Sequence, residues 1–146
     1  MELLPIRLDV DYDDEKFSSK ECRDVIEIYK TYYPNIGYLE PWIGYFIEVN
    51  GQIVGTCGFT GKPENGRIEL AYWVFKDFEG EGAASDACQA LINIALSNDP
   101  SVEITAKTEP EQNASARVLE KNGFYLAGEA LDEEIGTSWL WIYMGE

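Results

Sequence analysis

Two spacings of apolar residues recur along this chain, and together they predict three helices and seven strands. Apolar residues three and four positions apart form one stripe in each of the first two helical segments, while a proline start and a glycine stop mark the third. The predicted helices span residues 19–33, 82–97 and 110–122. Continuously apolar or alternating runs predict strands at residues 4–10, 44–49, 52–61, 67–75, 102–108, 124–131 and 137–144. The Asn50-Gly51 pair predicts a tight turn that joins the second and third strands as a hairpin.

The order of these elements predicts an α+β fold with a sheet of mixed direction. The strand at 67–75, a glycine loop, the helix at 82–97 and the strand at 102–108 form a β-α-β unit. Its loop lies at the carboxyl end of the first strand, which is where ligands bind in such units. The 146 residues contain no internal repeat or low-complexity linker, so we expect one domain over residues 1–146.

The lack of histidine and the spacing of the cysteines limit which catalytic and metal-binding groups the chain can use. The sequence contains no histidine, which excludes a Ser-His-Asp or Cys-His nucleophile system, a histidine zinc site and a histidine general base within the chain. Its three cysteines are widely spaced and form no CxxC pair, so neither a disulfide framework nor a cysteine metal site is indicated. We therefore expect an acid or base drawn from other side chains, and no metal.

The net charge is the second constraint. With 11 basic and 27 acidic residues the chain carries −16, which repels nucleic acid and anionic lipid and attracts cations. The same charge is equally compatible with a role in solubility alone. No apolar run reaches the roughly 18 residues of a membrane span, and the first ten residues do not resemble a secretory signal. We expect a cytoplasmic protein with neither a nucleic-acid nor a membrane partner.

The loop before the second predicted helix carries the first candidate chemistry. Gly80 and Gly82 are followed by the small residues Ala83, Ala84 and Ser85, so a ligand can reach the backbone where a helix begins. Unpaired N–H groups and the helix dipole favour a phosphate at such a position. Taken alone, this pattern is more often a simple turn between a strand and a helix.

A second segment favours a ligand-binding loop over a simple turn. Residues 72–85 (YWVFKDFEGEGAAS) and 110–124 (PEQNASARVLEKNGF), in this order and at this separation, resemble the GNAT superfamily of acetyl-CoA-dependent N-acetyltransferases. The amino-acid sequence of these two segments is most similar to the branch of ribosomal-protein N-terminal acetyltransferases. The family pattern of Arg or Gln, two residues, Gly, one residue, then Gly or Ala falls on Glu79, Gly82 and Ala84. The resemblance implies a mixed, mostly antiparallel twisted sheet with a central β-α-β coenzyme unit and helices on both faces.

The resemblance also implies a set of coenzyme contacts. The pantetheine arm would pair with the backbone of β-strand residues, the pyrophosphate would lie on the glycine loop, and polar residues before the third helix would contact the coenzyme. These residues are Tyr72, Trp73 and Val74; Glu79, Gly80, Glu81, Gly82, Ala83, Ala84 and Ser85; and Gln112, Asn113 and Ser115. Glu79 departs from the pattern, because an acidic side chain stands where a cation or an amide is expected.

The catalytic groups are less well defined. Many relatives place a tyrosine acid at the position of Leu119, so the proton donor falls to Ser115 in this branch. The resembling branch has a proposed base at Glu134, and Glu69 is the competing base. Strand alternation places Glu69 on the face opposite Val74, which counts against it unless a bulge intervenes.

The implied reaction moves the acetyl group of acetyl-CoA to a primary amine by direct attack in a ternary complex, which needs neither metal nor histidine. The acceptor is a small cationic amine or the amino terminus of a protein. Tyr32 and Tyr38 are candidates for the acceptor pocket. A catalytically impaired acyl-CoA-binding or interaction module of the same fold is the alternative, because Glu79 and Leu119 depart from the pattern. A monomer or a homodimer is expected.

Overall fold

A computed structural model describes residues 1–132 and 136–145, which form one seven-stranded sheet with three α-helices. The strands are β1 (Glu2–Pro5), β2 (Gly44–Val49), β3 (Gln52–Phe59), β4 (Arg67–Val74), β5 (Glu103–Thr108), β6 (Phe124–Asp132) and β7 (Gly136–Tyr143). The helices are α1 (Lys20–Ile36), α2 (Ala83–Asn98) and α3 (Ala114–Lys121). No helix in the described ranges is long and apolar enough to cross a membrane.

The sheet has the order β1-β2-β3-β4-β5-β7-β6. Neighbouring strands are antiparallel except β4 and β5, which run parallel because α2 connects them. This arrangement confirms the predicted α+β fold, the mixed and mostly antiparallel sheet, and the central β-α-β unit. The predicted hairpin is also confirmed, with Asn50 and Gly51 both at positive φ between β2 and β3.

Helices cover both faces of the sheet. Gly44, Gly58 and Ala71 lie directly opposite one another on β2, β3 and β4, so their side chains share one face. We call this the α1 face, because the ring of Tyr29 from α1 occupies the place where Gly44 lacks a side chain. Helix α2 packs against β3 and β4 from the other side and contacts α3, so that side is the α2/α3 face.

Three predicted boundaries differ from the structure by more than two residues. The first strand ends at Pro5 rather than at residue 10, because Tyr12 folds back: its hydroxyl accepts from Arg7 N at 2.8 Å and donates to Pro5 O at 3.1 Å. Helix α1 passes through Pro34 before it ends at Ile36. Helix α3 begins at Ala114 rather than at residue 110, because the Asn113 side chain accepts from Ala116 N at 3.0 Å and caps the helix there.

Candidate active site

The site begins where β4 and β5 separate. Their parallel ladder pairs Arg67 with Glu103 and ends where Glu69 lies opposite Thr105. Beyond that point β4 stays paired with β3, as far as Val74, whereas β5 pairs only with β7. The indole N–H of Trp141 donates to Thr108 Oγ1 at 2.9 Å, which fastens the end of β5 to β7. A notch therefore opens between the carboxyl ends of the two parallel strands.

The register shows which backbone groups face this notch. Phe75 N donates to Val54 O at 2.8 Å and Thr60 N donates to Glu69 O at 3.0 Å, so the odd-numbered residues of β4 exchange hydrogen bonds with β3. The even-numbered residues Tyr72 and Val74 then point their N–H and C=O groups toward the notch. The backbone N–H and C=O of Trp73 point toward β3, so Trp73 can contact a ligand in the notch only through its side chain.

A cavity of about 500 Å³ lies at this notch on the α2/α3 face, and we call it the coenzyme cavity. Its volume is within the range of small-molecule sites. The walls come from β4, the glycine loop, the start of α2 and one side of α3. The lining residues are Tyr72, Trp73, Val74, Phe78, Glu79, Gly80, Gly82, Ala83, Ala84, Ser85, Ala114, Ser115, Arg117, Val118 and Lys121.

The glycine loop has the local structure of an anion site. Gly80 and Gly82 have φ of +80° and +86°, a conformation that residues with a side chain rarely adopt. Gly82 is the N-cap of the 16-residue helix α2, and no side chain in the described ranges caps that helix. The first N–H groups of α2 are therefore left for a ligand that lies in the cavity. The side chain of Asn122 donates to Ser85 Oγ at 3.0 Å and fixes the end of α3 against this turn.

Two basic residues that the sequence analysis did not identify line the same cavity. Arg117 and Lys121 are four residues apart, so they lie one above the other on one side of α3. Glu79 lines the cavity too, and within the described residues no ion pair involves any of these three side chains. The spacing of Arg117 and Lys121 is visible in the sequence and was the signal available for finding them.

Three predicted coenzyme contacts lie outside the cavity lining. Glu81 lines a second cavity of about 400 Å³ on the other side of the glycine loop, together with Asp77 and Asp86. The Gln112 side chain donates to Glu120 Oε1 at 2.6 Å, and Asn113 is used as the cap of α3. The structure does not bring these three side chains to the notch.

Besides Ser85, whose hydroxyl accepts from Asn122, the residues with hydroxyl groups at the notch are Tyr72 and Ser115. The side chain of Tyr72 lies on the α2/α3 face, and its hydroxyl donates to Ser115 O at 3.1 Å. Burial raises the pKa of Tyr72, so this phenol stays protonated well above neutral pH. Leu119, which stands where many GNAT enzymes have a tyrosine, is fully buried in the core.

A smaller cavity of about 120 Å³ lies on the α1 face, and we name it the acceptor chamber after the expected acceptor pocket for which Tyr32 is a candidate. Its walls come from α1, β3 and β4: Tyr29, Tyr32, Thr56, Cys57, Gly58, Phe59, Thr60, Ala71, Tyr72 and Trp73. It shares Tyr72 and Trp73 with the coenzyme cavity, so the two cavities approach each other from opposite faces of the sheet at β4. Tyr32 is in the lining as predicted; Tyr38 is outside it, and its hydroxyl donates to Glu40 at 3.1 Å.

Glu69 lies on the face of the acceptor chamber. It is on the face opposite Val74, as strand alternation predicts, and its carboxylate is 3.3 Å from Lys107 Nζ, with about a quarter of each side chain exposed. Because the chamber opens on the α1 face, the alternation that counted against Glu69 instead places it on the acceptor side. The other predicted base, Glu134, is outside the described residues.

Comparison with known proteins agrees with this geometry. The family described as Acetyltransferase (GNAT) domain matches residues 9–125. The chain is 38% identical over 96 residues to the "Uncharacterized N-acetyltransferase YjdG" of Bacillus subtilis (strain 168), covering 65% of this chain and 54% of that protein. It is 28% identical over 85 residues to the "Ribosomal-protein-serine acetyltransferase" of Escherichia coli (strain K12), covering 58% of this chain and 48% of the relative. The chain thus spans about half the length of the curated relatives it matches.

Solved structures share the fold. The RimL ribosomal L7/L12 α-N-protein acetyltransferase in complex with coenzyme A superposes with a TM-score of 0.65 at 20% identity, covering 86% of this chain and 72% of that one. The microcin C7 self-immunity acetyltransferase MccE, in complex with acetyl-CoA and AMP, superposes with a TM-score of 0.66 at 19% identity, covering 84% and 71%. The family match and the notch together confirm the resemblance inferred from residues 72–85 and 110–124, and the chain belongs to the GNAT acetyltransferase family.

Proposed function

We propose that this chain binds acetyl-CoA in the coenzyme cavity and transfers its acetyl group to a primary amine that enters the acceptor chamber. The observation that carries the proposal is the meeting of the two cavities at Tyr72 and Trp73, where β4 separates from β5. A donor on one face and an acceptor on the other would then meet at the gap beside β4, as direct transfer in a ternary complex requires. The N-acetyltransferases among the relatives and the coenzyme complexes among the fold neighbours support this assignment.

The described residues fit the coenzyme. An extended pantetheine arm takes the place of the missing strand beside β4, where Tyr72 and Val74 present backbone donors and acceptors. The pyrophosphate lies on the N–H groups that begin α2. Arg117 and Lys121 add positive charge on the α3 side of the cavity and offset the negative charge of Glu79. The coenzyme supplies the activated acetyl thioester.

The chemistry requires one base and one acid. The amine attacks the thioester carbonyl only after losing its proton, a C–N bond forms as the C–S bond breaks, and the departing thiolate takes up a proton. Glu69 accepts the amine proton through a water molecule, or Glu134 accepts it. Ser115 gives its hydroxyl proton to the thiolate and regains one from solvent. Ser115 is suited to this role because it lines the coenzyme cavity at the start of α3, beside the Tyr72 hydroxyl.

The two candidate bases are separated by their variants. Glu69→Gln removes a carboxylate and also the ion pair with Lys107, so Lys107→Gln is the matched control that breaks the pair and keeps the carboxylate. A base contributes about 10²- to 10⁴-fold to turnover. If Glu69 is the base, Glu69→Gln loses activity and the rise of kcat with pH, whereas Lys107→Gln and Glu134→Gln retain both. The reverse result assigns the base to Glu134.

An interaction module that binds acyl-CoA without turnover is the second candidate, favoured by the acidic Glu79 in the cavity and by the buried Leu119 in place of a tyrosine. The release of free thiol from acetyl-CoA, measured with and without a panel of primary amines, separates the two. Amine-dependent release with formation of the acetylated amine supports the enzyme. Saturable binding of acetyl-CoA with no amine-dependent release supports the module.

A further inference from the structure

The described walls of the acceptor chamber are neutral. Among the residues that the structure describes, the lining contains Tyr29, Tyr32, Trp73 and two threonines, and no acidic or basic residue. The acidic residues at positions 9, 11, 13, 14 and 15 are outside this lining. The overall charge of −16 attracts an ammonium ion to the protein, but the described lining of the chamber offers it no carboxylate.

This neutrality has a chemical consequence. A carboxylate in contact with an ammonium ion raises the pKa of the amine and so keeps it protonated and unreactive. Aromatic ring faces attract a cation through the ring quadrupole, without the full negative charge of a carboxylate. A chamber walled by rings therefore admits a cationic amine without strongly opposing the loss of its proton.

The chamber is small and its walls are held in place. The chamber is open to solvent on one side, and its volume of about 120 Å³ is smaller than the enclosed cavity of about 150 Å³ that binds benzene in a well-studied apolar site, so a benzene-sized group does not fit within its walls. The ring of Tyr29 packs against Tyr33 with centroids 4.8 Å apart, and it meets Tyr32 edge-on at 5.5 Å. Trp73 packs edge-on against Phe75 at 5.0 Å. These contacts limit the expansion of the chamber around a larger group.

We infer that the acceptor is a primary amine whose adjoining group is uncharged and smaller than a benzene ring, and that Tyr32 and Trp73 are the residues that set this limit. The inference rests on the proposed function, since it concerns the acceptor of the same reaction. A short alkylamine and a peptide that begins with alanine present this chemistry equally. Benzylamine and a peptide that begins with phenylalanine exceed the limit.

Two substitutions change the chamber in opposite directions. Tyr32→Ala removes a wall and enlarges it. Ala71→Leu fills it from β4, and Ala71 is outside the lining of the coenzyme cavity. Ile28→Ala is the matched control, because Ile28 is on the same helix as Tyr32, is 56% exposed and does not line the chamber. Trp73 is left unchanged because it lines both cavities.

Selectivity is measured in two ways, as kcat/KM with acetyl-CoA and as calorimetric binding of each amine to the coenzyme A complex. In the wild type we expect propylamine to be preferred to benzylamine, and the alanine peptide to the phenylalanine peptide. Because a misfit of one methylene changes selectivity by about 10- to 200-fold, Tyr32→Ala should shift the benzylamine to propylamine ratio by at least about tenfold. Ala71→Leu should weaken propylamine by a similar factor and leave acetyl-CoA affinity unchanged. Ile28→Ala should match the wild type.

The possible results distinguish a failure of the inferred acceptor limit from a failure of the proposed acetyl transfer. Acetyl transfer with ratios that Tyr32→Ala leaves unchanged, or a wild type that prefers benzylamine, overturns the inference and leaves the proposed function standing. Selective amine binding without acetyl transfer supports the chamber and overturns the proposed function. A preference confined to propylamine, or to the alanine peptide, identifies the acceptor as a free amine or as an amino terminus.

Discussion

Glu79 is the residue at which this chain departs most from its family, and its replacement tests the proposed coenzyme site. The side chain is exposed, lines the coenzyme cavity beside the glycine loop, and forms no ion pair within the described residues. Glu79→Arg changes the local charge by two units, and Glu79→Gln changes it by one. If the pyrophosphate lies on this loop, each step should tighten acetyl-CoA binding.

The magnitude follows from the exposure of the site. An exposed pair of charges contributes about 0.2–1 kcal/mol, so a change of two units corresponds to at most about 2 kcal/mol. At about 1.4 kcal/mol for each tenfold change, this is an increase in affinity of up to roughly thirtyfold, with a few-fold increase for Glu79→Gln. The gain should shrink with added salt, because the Debye length falls from about 10 Å at 0.1 M to about 3 Å at 1 M.

Glu81→Arg provides the control. Glu81 is two residues from Glu79, and Glu81→Arg makes the same change in total charge as Glu79→Arg. The Glu81 side chain, however, lines the second cavity on the other side of the loop. Calorimetric titration of acetyl-CoA into wild type, Glu79→Arg and Glu81→Arg at two ionic strengths compares a local effect with a global one. Equal affinities and equal salt dependence for the two arginine variants would refute the placement of the pyrophosphate beside Glu79.

Three other predictions concern the site and the core. Arg117→Gln and Lys121→Gln should each weaken acetyl-CoA binding several-fold and reduce its salt dependence, whereas Lys62→Gln, outside both cavities, should not. Ser115→Ala should lower kcat about 10²-fold and leave KM for acetyl-CoA nearly unchanged; full activity in steady-state assays would remove Ser115 as the acid. Burial raises the pKa of the Cys88 thiol from 9.0 to about 12, so the unfolded chain loses this proton first, and stability should fall as pH rises from about 9 toward 12. Thermal unfolding of Cys88→Ala should show a smaller loss over that range.

Local patterns were sufficient for most of the fold. The Asn50-Gly51 turn, the stripe on α2 and the alternation on β4 are consequences of neighbouring residues, and each is confirmed. The strand that ends at Pro5 was predicted too long because a contact from Tyr12 ends it, and apolar spacing does not report such a contact. The start of α3 was misplaced for a similar reason. Both Pro110 and Asn113 are compatible with a helix start, and the structure uses Asn113 as the cap.

The candidate site, like the fold, was predictable only where it depends on residues that are close together in the sequence. The glycine loop and Ser115 are adjacent to recognisable motifs, so the sequence was enough to predict that they line one cavity. The acceptor chamber depends on α1 lying against β3 and β4, which are distant in the sequence, and its small neutral interior was not predictable. The notch also depends on a contact between distant segments. Beyond Thr105, β5 pairs with β7 instead of β4, and β7 is far from both strands in the sequence.

In the proposed complex, acetyl-CoA fills the notch and completes the sheet beside β4. Residue-resolved hydrogen exchange of the backbone amides of Tyr72 and Val74 tests it directly, because these amides face the notch, whereas that of Trp73 is on the β3 side. Saturating acetyl-CoA should slow exchange at Tyr72 and Val74 by a larger factor than at Trp73. Unchanged exchange at Tyr72 and Val74, in a protein saturated with acetyl-CoA, would contradict it.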